Sequence, residues 1–74
     1  MKPYSNLRKA LFLQDKNIKD LPNVIGKSAS YVNARMNAYA ENYWTEMDMY
    51  KILKFLGEDE DKTGFYFSLK QRKG

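Results

Sequence analysis

Apolar residues recur at helical spacing near the start of the chain, which predicts a first helix over residues 6–14. Pro3 opposes a helix before it, and Ser5 is placed to be the N-cap. One face of this helix collects the side chains that we expect in the core. They are Leu7, Ala10 and Leu11, and Phe12 and Leu13 widen the face.

Residues 17–37 carry the pattern of two helices joined by a tight turn. Gly26 stands where a helix ends with a positive φ, and Ser28 stands where the next helix needs a side-chain oxygen as its cap. Because Pro22 is harmless only near a helix N-terminus, we expect the first of these helices to be short or distorted at its start, with Asn17 or Asp20 as its cap. The apolar positions that clamp the two helices together are Leu21, Val24, Ile25, Val32 and Met36.

Residues 38–43 have no clear period and predict a loop with exposed tyrosines. The strongest helix signal follows at Thr45, which with Asp48 three residues later fits a capping box, while Trp44 is placed to pack on Met49 as a hydrophobic staple. Gly57 is expected to end this helix. Its apolar face consists of Met49, Ile52, Leu53 and Leu56, flanked by Tyr50 and Phe55.

Residues 58–62 form an acidic connector, which is either one more helical turn or a solvated loop. Phe65, Phe67 and Leu69 then alternate with polar or aromatic neighbours, which predicts a short strand with one apolar face. Since a lone strand leaves its backbone groups unpaired, its simplest partner is the same segment of a second copy. We therefore expect a homodimer with these three residues at the interface, followed by a basic tail.

The resulting fold class is mainly α, a bundle of four to five helices with a possible short C-terminal strand. The 74 residues make one domain, with the helical core over residues 6–57 and the connector, strand and tail over 58–74.

Charge is distributed unevenly along the chain. Residues 1–35 hold seven Lys or Arg against two Asp, residues 36–61 hold two Lys against seven acidic residues, and residues 62–74 hold four basic residues and no acid. A basic half that coincides with the two clamped helices favours a polyanionic partner, although a lysine-rich surface alone would look similar.

The chain has no Cys and no His, which removes thiolate and imidazole catalysis and ordinary zinc sites. We therefore expect no enzyme activity, no metal, no cofactor and no small-molecule substrate. No apolar run approaches the length of a membrane span, and the N-terminus lacks the apolar region of a secretory signal. These features predict a cytoplasmic protein.

The segment DLPNVIGKSASYVNARMN resembles the helix-turn-helix of phage repressors and Cro-like proteins, the lambda-repressor-like family. Leu21, Ile25, Gly26, Ser28 and Val32 hold the places of that motif, and the resemblance covers about residues 6–57. The chain departs from it at two positions: Pro22 replaces a usual Ala, and Lys27 replaces a usual apolar residue in the turn.

This resemblance implies sequence-specific binding of double-stranded DNA by a phage-type transcriptional regulator, with residues 28–37 in the major groove. Asn33 is then suited to adenine, Ser30 to several bases, and the methyl groups of Ala29 and Ala34 to thymine. Family members contact phosphates from positions that match Asn17, Ser28 and Asn37. Further phosphate contacts are expected from Lys19, Lys27, Tyr31 and Arg35.

Each of these residues has a purely structural interpretation as well. Ser28 caps a helix, Tyr31 is placed to cover the core edge, and Arg35 is placed to pair with the acidic half of the chain. The alternative function is a protein-interaction module of the antirepressor kind, which binds another regulator through Tyr39, Tyr43 and the strand over 65–69. Affinity for duplex DNA with a steep salt dependence separates the two functions.

Overall fold

The computed structural model describes residues 3–38 and 43–67, and in these ranges it is an all-helical bundle. The predicted mainly α fold class is confirmed. One-turn 3-10 helices at Ile18–Asp20 and Glu60–Lys62 precede the second and fifth α-helices. The α-helices are α1 (Ser5–Leu13), α2 (Leu21–Ile25), α3 (Ala29–Met36), α4 (Glu46–Leu56) and α5 (Thr63–Phe67).

The predicted helix ends are confirmed at four positions. Gly26 and Gly57 adopt left-handed backbone conformations with φ of 71° and 75°, and they terminate α2 and α4. Ser28 Oγ accepts a hydrogen bond from Tyr31 N at 3.1 Å, and Thr45 Oγ1 accepts one from the N–H of the third residue of α4 at 3.2 Å. These local contacts fix where α3 and α4 begin, and so which side chains each helix turns outward.

Pro22 lies in the first turn of α2, where its missing N–H removes no helical hydrogen bond. The 3-10 turn ahead of it is held by Asp20, whose Oδ2 accepts a hydrogen bond from Asn17 N at 3.0 Å. The prediction that this helix is short and irregular at its start is therefore confirmed. The connector over 58–62 likewise contains a 3-10 turn rather than a fully irregular loop.

The core lies between α2, α3 and α4, and α1 and α5 close it from the other side. Trp44, placed just before α4, packs edge-on against Tyr4 and Phe67, with ring centroids 6.5 and 6.1 Å apart. Burying this aromatic cluster ties the first and last described segments together. The buried apolar side chains are Tyr4, Leu7, Leu11, Leu21, Ile25, Val32, Met36, Trp44, Ile52, Leu53, Leu56 and Tyr66.

Three sequence predictions about the elements and the core are wrong. Residues 65–67 belong to helix α5 and not to a strand, because Tyr66, rather than Phe65, turns into the core. Ser5 is the first residue of α1, and Tyr4 occupies the cap position without a side-chain hydrogen bond. Phe12 and Leu13 are exposed at 80% and 70% of their surface, since they follow the buried Leu11 around the helix and turn away from the core.

Candidate nucleic-acid interface

Helix α3 presents one polar face to solvent because its other face is anchored in the core. Val32 and Met36 are buried and hold the helix against the bundle. Between these anchors the helix leaves Ala34 half-buried. The exposed residues of the turn and helix that the sequence assigned to base or phosphate contacts are Lys27, Ser28, Ala29, Ser30, Asn33 and Asn37.

Tyr31 organises the charged part of this face. Its half-buried ring lies under the Arg35 guanidinium, whose Cζ is 3.4 Å from the ring centroid, and Lys27 Nζ lies 5.1 Å from the same centroid. Arg35 also donates from Nη1 to Tyr31 O at 3.4 Å. Lys27, Tyr31 and Arg35 are spaced along one side of the turn and α3, and both cations lie on the ring of Tyr31.

Asp48 fixes that ring to the bundle. It lies on α4, is only 2% exposed, and its Oδ2 accepts a hydrogen bond from the Tyr31 hydroxyl. This hydrogen bond, with burial and the nearby carboxylate charge, raises the pKa of the Tyr31 phenol above its ordinary value. The buried charge of Asp48 is therefore satisfied by a residue of α3.

The sequence assigned Asp48 to a capping box and missed this role. The N–H of Asp48 does donate to the cap oxygen of Thr45, but its carboxylate reaches Tyr31 instead of returning to the cap. No local signal reveals such a contact, because the two residues are 17 positions apart and belong to different helices.

The C-terminal end of α3 is held by side chains that donate hydrogen bonds to its carbonyls. Asn37 Nδ2 donates to Asn33 O at 2.9 Å, and Arg8 Nη2 donates from α1 to Met36 O at 2.8 Å. Partial burial lowers the pKa of the Arg8 guanidinium from its ordinary value. Arg8 was not among the predicted site residues, although it fixes the end of the helix that carries them.

Asn17 and Lys19 are exposed at the 3-10 turn that leads into α2. Among the residues that the structure describes, no hydrogen bond or ring contact joins them to α3. Asn17 and Lys19 therefore form a group separate from the cluster around Tyr31, and they lie at the 3-10 turn that precedes α2.

Two of the predicted dimer residues, Phe65 and Phe67, lie in different surroundings. Phe65 is 56% exposed and stacks edge-on with Tyr66 at 4.9 Å, while Phe67 is half-buried between the rings of Tyr4 and Trp44. Leu69 lies outside the described residues. Because the segment is helical up to Phe67, the expected strand pairing between copies has no basis in these residues.

In comparisons with known proteins, no protein-family model matches the chain and no curated protein is significantly similar to it. Across residues 3–38 and 43–67, every helix is too short or too polar to cross a bilayer.

Proposed function

We propose that this protein binds double-stranded DNA with sequence preference, as a phage-type transcriptional regulator, with α3 as its recognition helix. The observation that carries the proposal is the geometry of α3. This helix is capped at Ser28, anchored by Val32 and Met36, and uncovered on the opposite face. A helix of this kind fits the major groove of B-form DNA, which admits one α-helix.

In this proposal the small and amide-bearing residues of α3 contact the bases. The Asn33 amide donates and accepts, so it suits the N6 and N7 edge of adenine. Ser30 offers a hydroxyl to several bases, and the methyl groups of Ala29 and Ala34 contact thymine methyls.

The phosphates are contacted by Lys27 and Arg35, the two cations on the Tyr31 ring, and by the residues at the two ends of α3. Stacking on one ring limits the rotamers of Lys27 and Arg35, which lowers the entropy lost when a phosphate binds. Ser28 and Asn37 flank α3. Asn17 and Lys19 lie at the 3-10 turn before α2, from which they extend the contact along the DNA backbone. Such contacts set register and carry no sequence information.

The test is the affinity of the intact chain for fluorescent duplexes at increasing salt, measured by anisotropy after selection of bound sites from random DNA. We expect tight binding at low salt and a steep linear fall of the logarithm of affinity with the logarithm of salt concentration. Lys27→Ala should weaken all duplexes alike and reduce the salt slope by about one. Asn33→Ala should instead lose about 1–3 kcal/mol of discrimination at one base pair.

A matched control is Lys51→Ala, which removes an exposed cation from α4. Its affinity and salt slope should equal those of the unchanged protein. If the chain ignores duplex DNA at low salt, or if Lys51→Ala weakens binding as much as Lys27→Ala, the proposal is wrong. A regulator of this kind would act in the cytoplasm of a bacterial host.

The second candidate function is that of a protein-interaction module. Two exposed aromatic side chains favour it, Tyr43 before α4 and Phe65 on α5. Tyr39, the third tyrosine assigned to that surface, lies outside the described residues. A chain that does not bind DNA but captures another regulator through these aromatic residues would fit this function and exclude the first.

A further inference from the structure

A groove between α1 and the 3-10 turn that follows it combines cations with apolar side chains. Its volume is about 340 Å³, and Leu11 and Ile18 contribute apolar surface to it. Phe12 also lines it, with 80% of its side chain exposed, and the next residue, Leu13, is 70% exposed. Adjacent exposed apolar side chains beside a concave surface are typical of an interaction site.

The charge of this groove has one sign. The cations that line it are Arg8, Lys16 and Lys19, and we therefore call it the basic groove. No carboxylate of the described residues lines it, although Asp15 and Asp20 are close by in sequence. A groove with uncompensated positive charge favours an acidic ligand.

Two of the cations are held in place by neutral oxygens. Lys16 Nζ donates to Phe55 O and to Gln14 Oε1, each at 2.7 Å, and Arg8 Nε donates to Pro3 O at 2.9 Å. These acceptors orient the cations but leave their charge in place. Side chains that are already ordered lose less entropy when a ligand binds, so the groove is partly preorganised for carboxylates.

A second charged groove does not select a ligand in this way. It lies along α4 and the connector and has a volume of about 560 Å³. Lys51 and Lys54 line it together with Glu58, Asp59 and Glu60, so both signs of charge are present. These charges offset each other, whereas the basic groove carries one sign beside an exposed aromatic ring.

We propose that the basic groove binds an acidic segment of a partner protein. In this complex an aromatic or leucine side chain of the partner packs against Phe12, and Asp or Glu carboxylates on either side of it bind Lys16 and Lys19. The apolar surface argues against duplex DNA as the ligand, because the phosphates and sugars of a duplex do not need it. Single strands stack successive bases on aromatic rings, but the other apolar residues of this groove, Leu11 and Ile18, are aliphatic.

The basic groove shares Asn17 and Lys19 with the proposed phosphate contacts. A bound acidic segment would therefore occupy Lys19 and place negative charge where a phosphate would otherwise lie. Binding of the partner should then weaken binding of DNA. This consequence rests on the proposed function, whereas binding of the acidic segment does not.

The test is selection of ligands for the intact chain from a random peptide library, followed by the affinity of the selected peptides in fluorescence anisotropy without DNA. We expect peptides that carry Asp or Glu on both sides of Phe, Trp or Leu. Their affinity should fall as salt rises. Exchanging the acidic residues of a selected peptide for Lys, or its apolar residue for Ser, should abolish binding.

Variants of the chain locate the site. Phe12→Ser should raise the dissociation constant of a selected peptide by roughly tenfold or more, since aromatic side chains dominate binding energy. Lys19→Ala should raise it by roughly two- to fivefold, as expected for one exposed ion pair. The matched controls are Phe65→Ser on α5 and Lys51→Ala on α4, which should leave the affinity unchanged. All four side chains are exposed, so each variant should keep its helices, which circular dichroism checks.

Three results would overturn the proposal. They are a selection that enriches no acidic peptides, a loss of affinity in Phe65→Ser or Lys51→Ala as large as in the variants of the groove, and tighter binding of a mixed-sequence single-stranded DNA at Phe12 than of any selected peptide. The last result would make the groove a nucleic-acid site. Because the peptide measurements contain no DNA, their failure is distinguishable from failure of the proposed DNA binding.

Competition tests the regulatory consequence. A selected duplex should displace the peptide from the unchanged chain, and Phe12→Ser should keep full affinity for the duplex while losing the peptide. A peptide-bound chain that still binds the duplex with full affinity would overturn the competition.

Discussion

Replacing Tyr31 by Phe isolates the bond that joins α3 to α4. The change keeps the ring and its stacked cations but removes the hydroxyl that donates to Asp48. Asp48 is only 2% exposed, so water does not readily replace the lost donor. A hydrogen bond to a charged acceptor contributes about 1.5–3 kcal/mol, and that amount should be lost from the free energy of unfolding.

This loss is large for so small a domain. At roughly 0.05–0.15 kcal/mol per residue, a chain of 74 residues has a total stability of about 4–11 kcal/mol. With a urea slope of about 1 kcal/mol per molar, Tyr31→Phe should lower the midpoint of urea unfolding by about 2 M. Circular dichroism followed through the titration measures this midpoint.

The chain supplies a matched control in Tyr50, whose hydroxyl donates to Glu46 Oε2 at 2.8 Å on the exposed side of α4. Tyr50→Phe removes the same atom from a solvated pair, so the urea midpoint should not move. The double variant Tyr31→Phe/Asp48→Asn should lose less free energy of unfolding than the sum of the two single variants. The reason is that Asp48→Asn removes the buried charge that Tyr31→Phe leaves without its hydrogen-bond donor. Equal effects of Tyr31→Phe and Tyr50→Phe would refute this assignment of the buried carboxylate.

Three further predictions concern the stability of the fold. Gly26→Ala should cost about 1 kcal/mol in urea unfolding, because its φ of 71° is left-handed while its side-chain position is open; Gly64→Ala, at an open helical site without a positive φ, should cost nothing. Leu11→Ala should lose about 2–5 kcal/mol in thermal or urea unfolding, and Phe12→Ala less than about 0.5 kcal/mol, although both are apolar residues of one helix. The pKa of the Tyr31 phenol is raised above its ordinary 10.0 in the folded state, so the phenol's contribution to the free energy of unfolding is full below pH 10 and is lost as the pH rises through the folded-state pKa. The free energy of unfolding, measured at increasing alkaline pH, should therefore fall less in Tyr31→Phe than in the unchanged protein.

The sequence predicts best those features that depend on a few neighbouring residues. Gly26 and Gly57 end helices because a positive φ is least costly for glycine, and the Ser28 and Thr45 caps need only the helix that follows them. The anchored face of α3 follows from the spacing of its apolar residues.

Features that depend on distant packing were not predictable in this way. Alternation at Phe65 and Phe67 resembles a strand, but the residues form a one-turn helix that buries Tyr66 and needs no second strand. Phe12 has the same chemistry as a core residue, and only the position of the neighbouring helices leaves it outside. The partner of Asp48 likewise depends on how α3 meets α4.

The central claim is that the uncovered face of α3 meets DNA. The most direct measurement is the change in backbone amide chemical shifts of the full chain on titration with a selected duplex. We predict that the largest changes fall on residues 28–37 and on the turn that carries Asn17 and Lys19. Changes confined to the surface around Tyr43 and Phe65, with residues 28–37 unaffected, would contradict it.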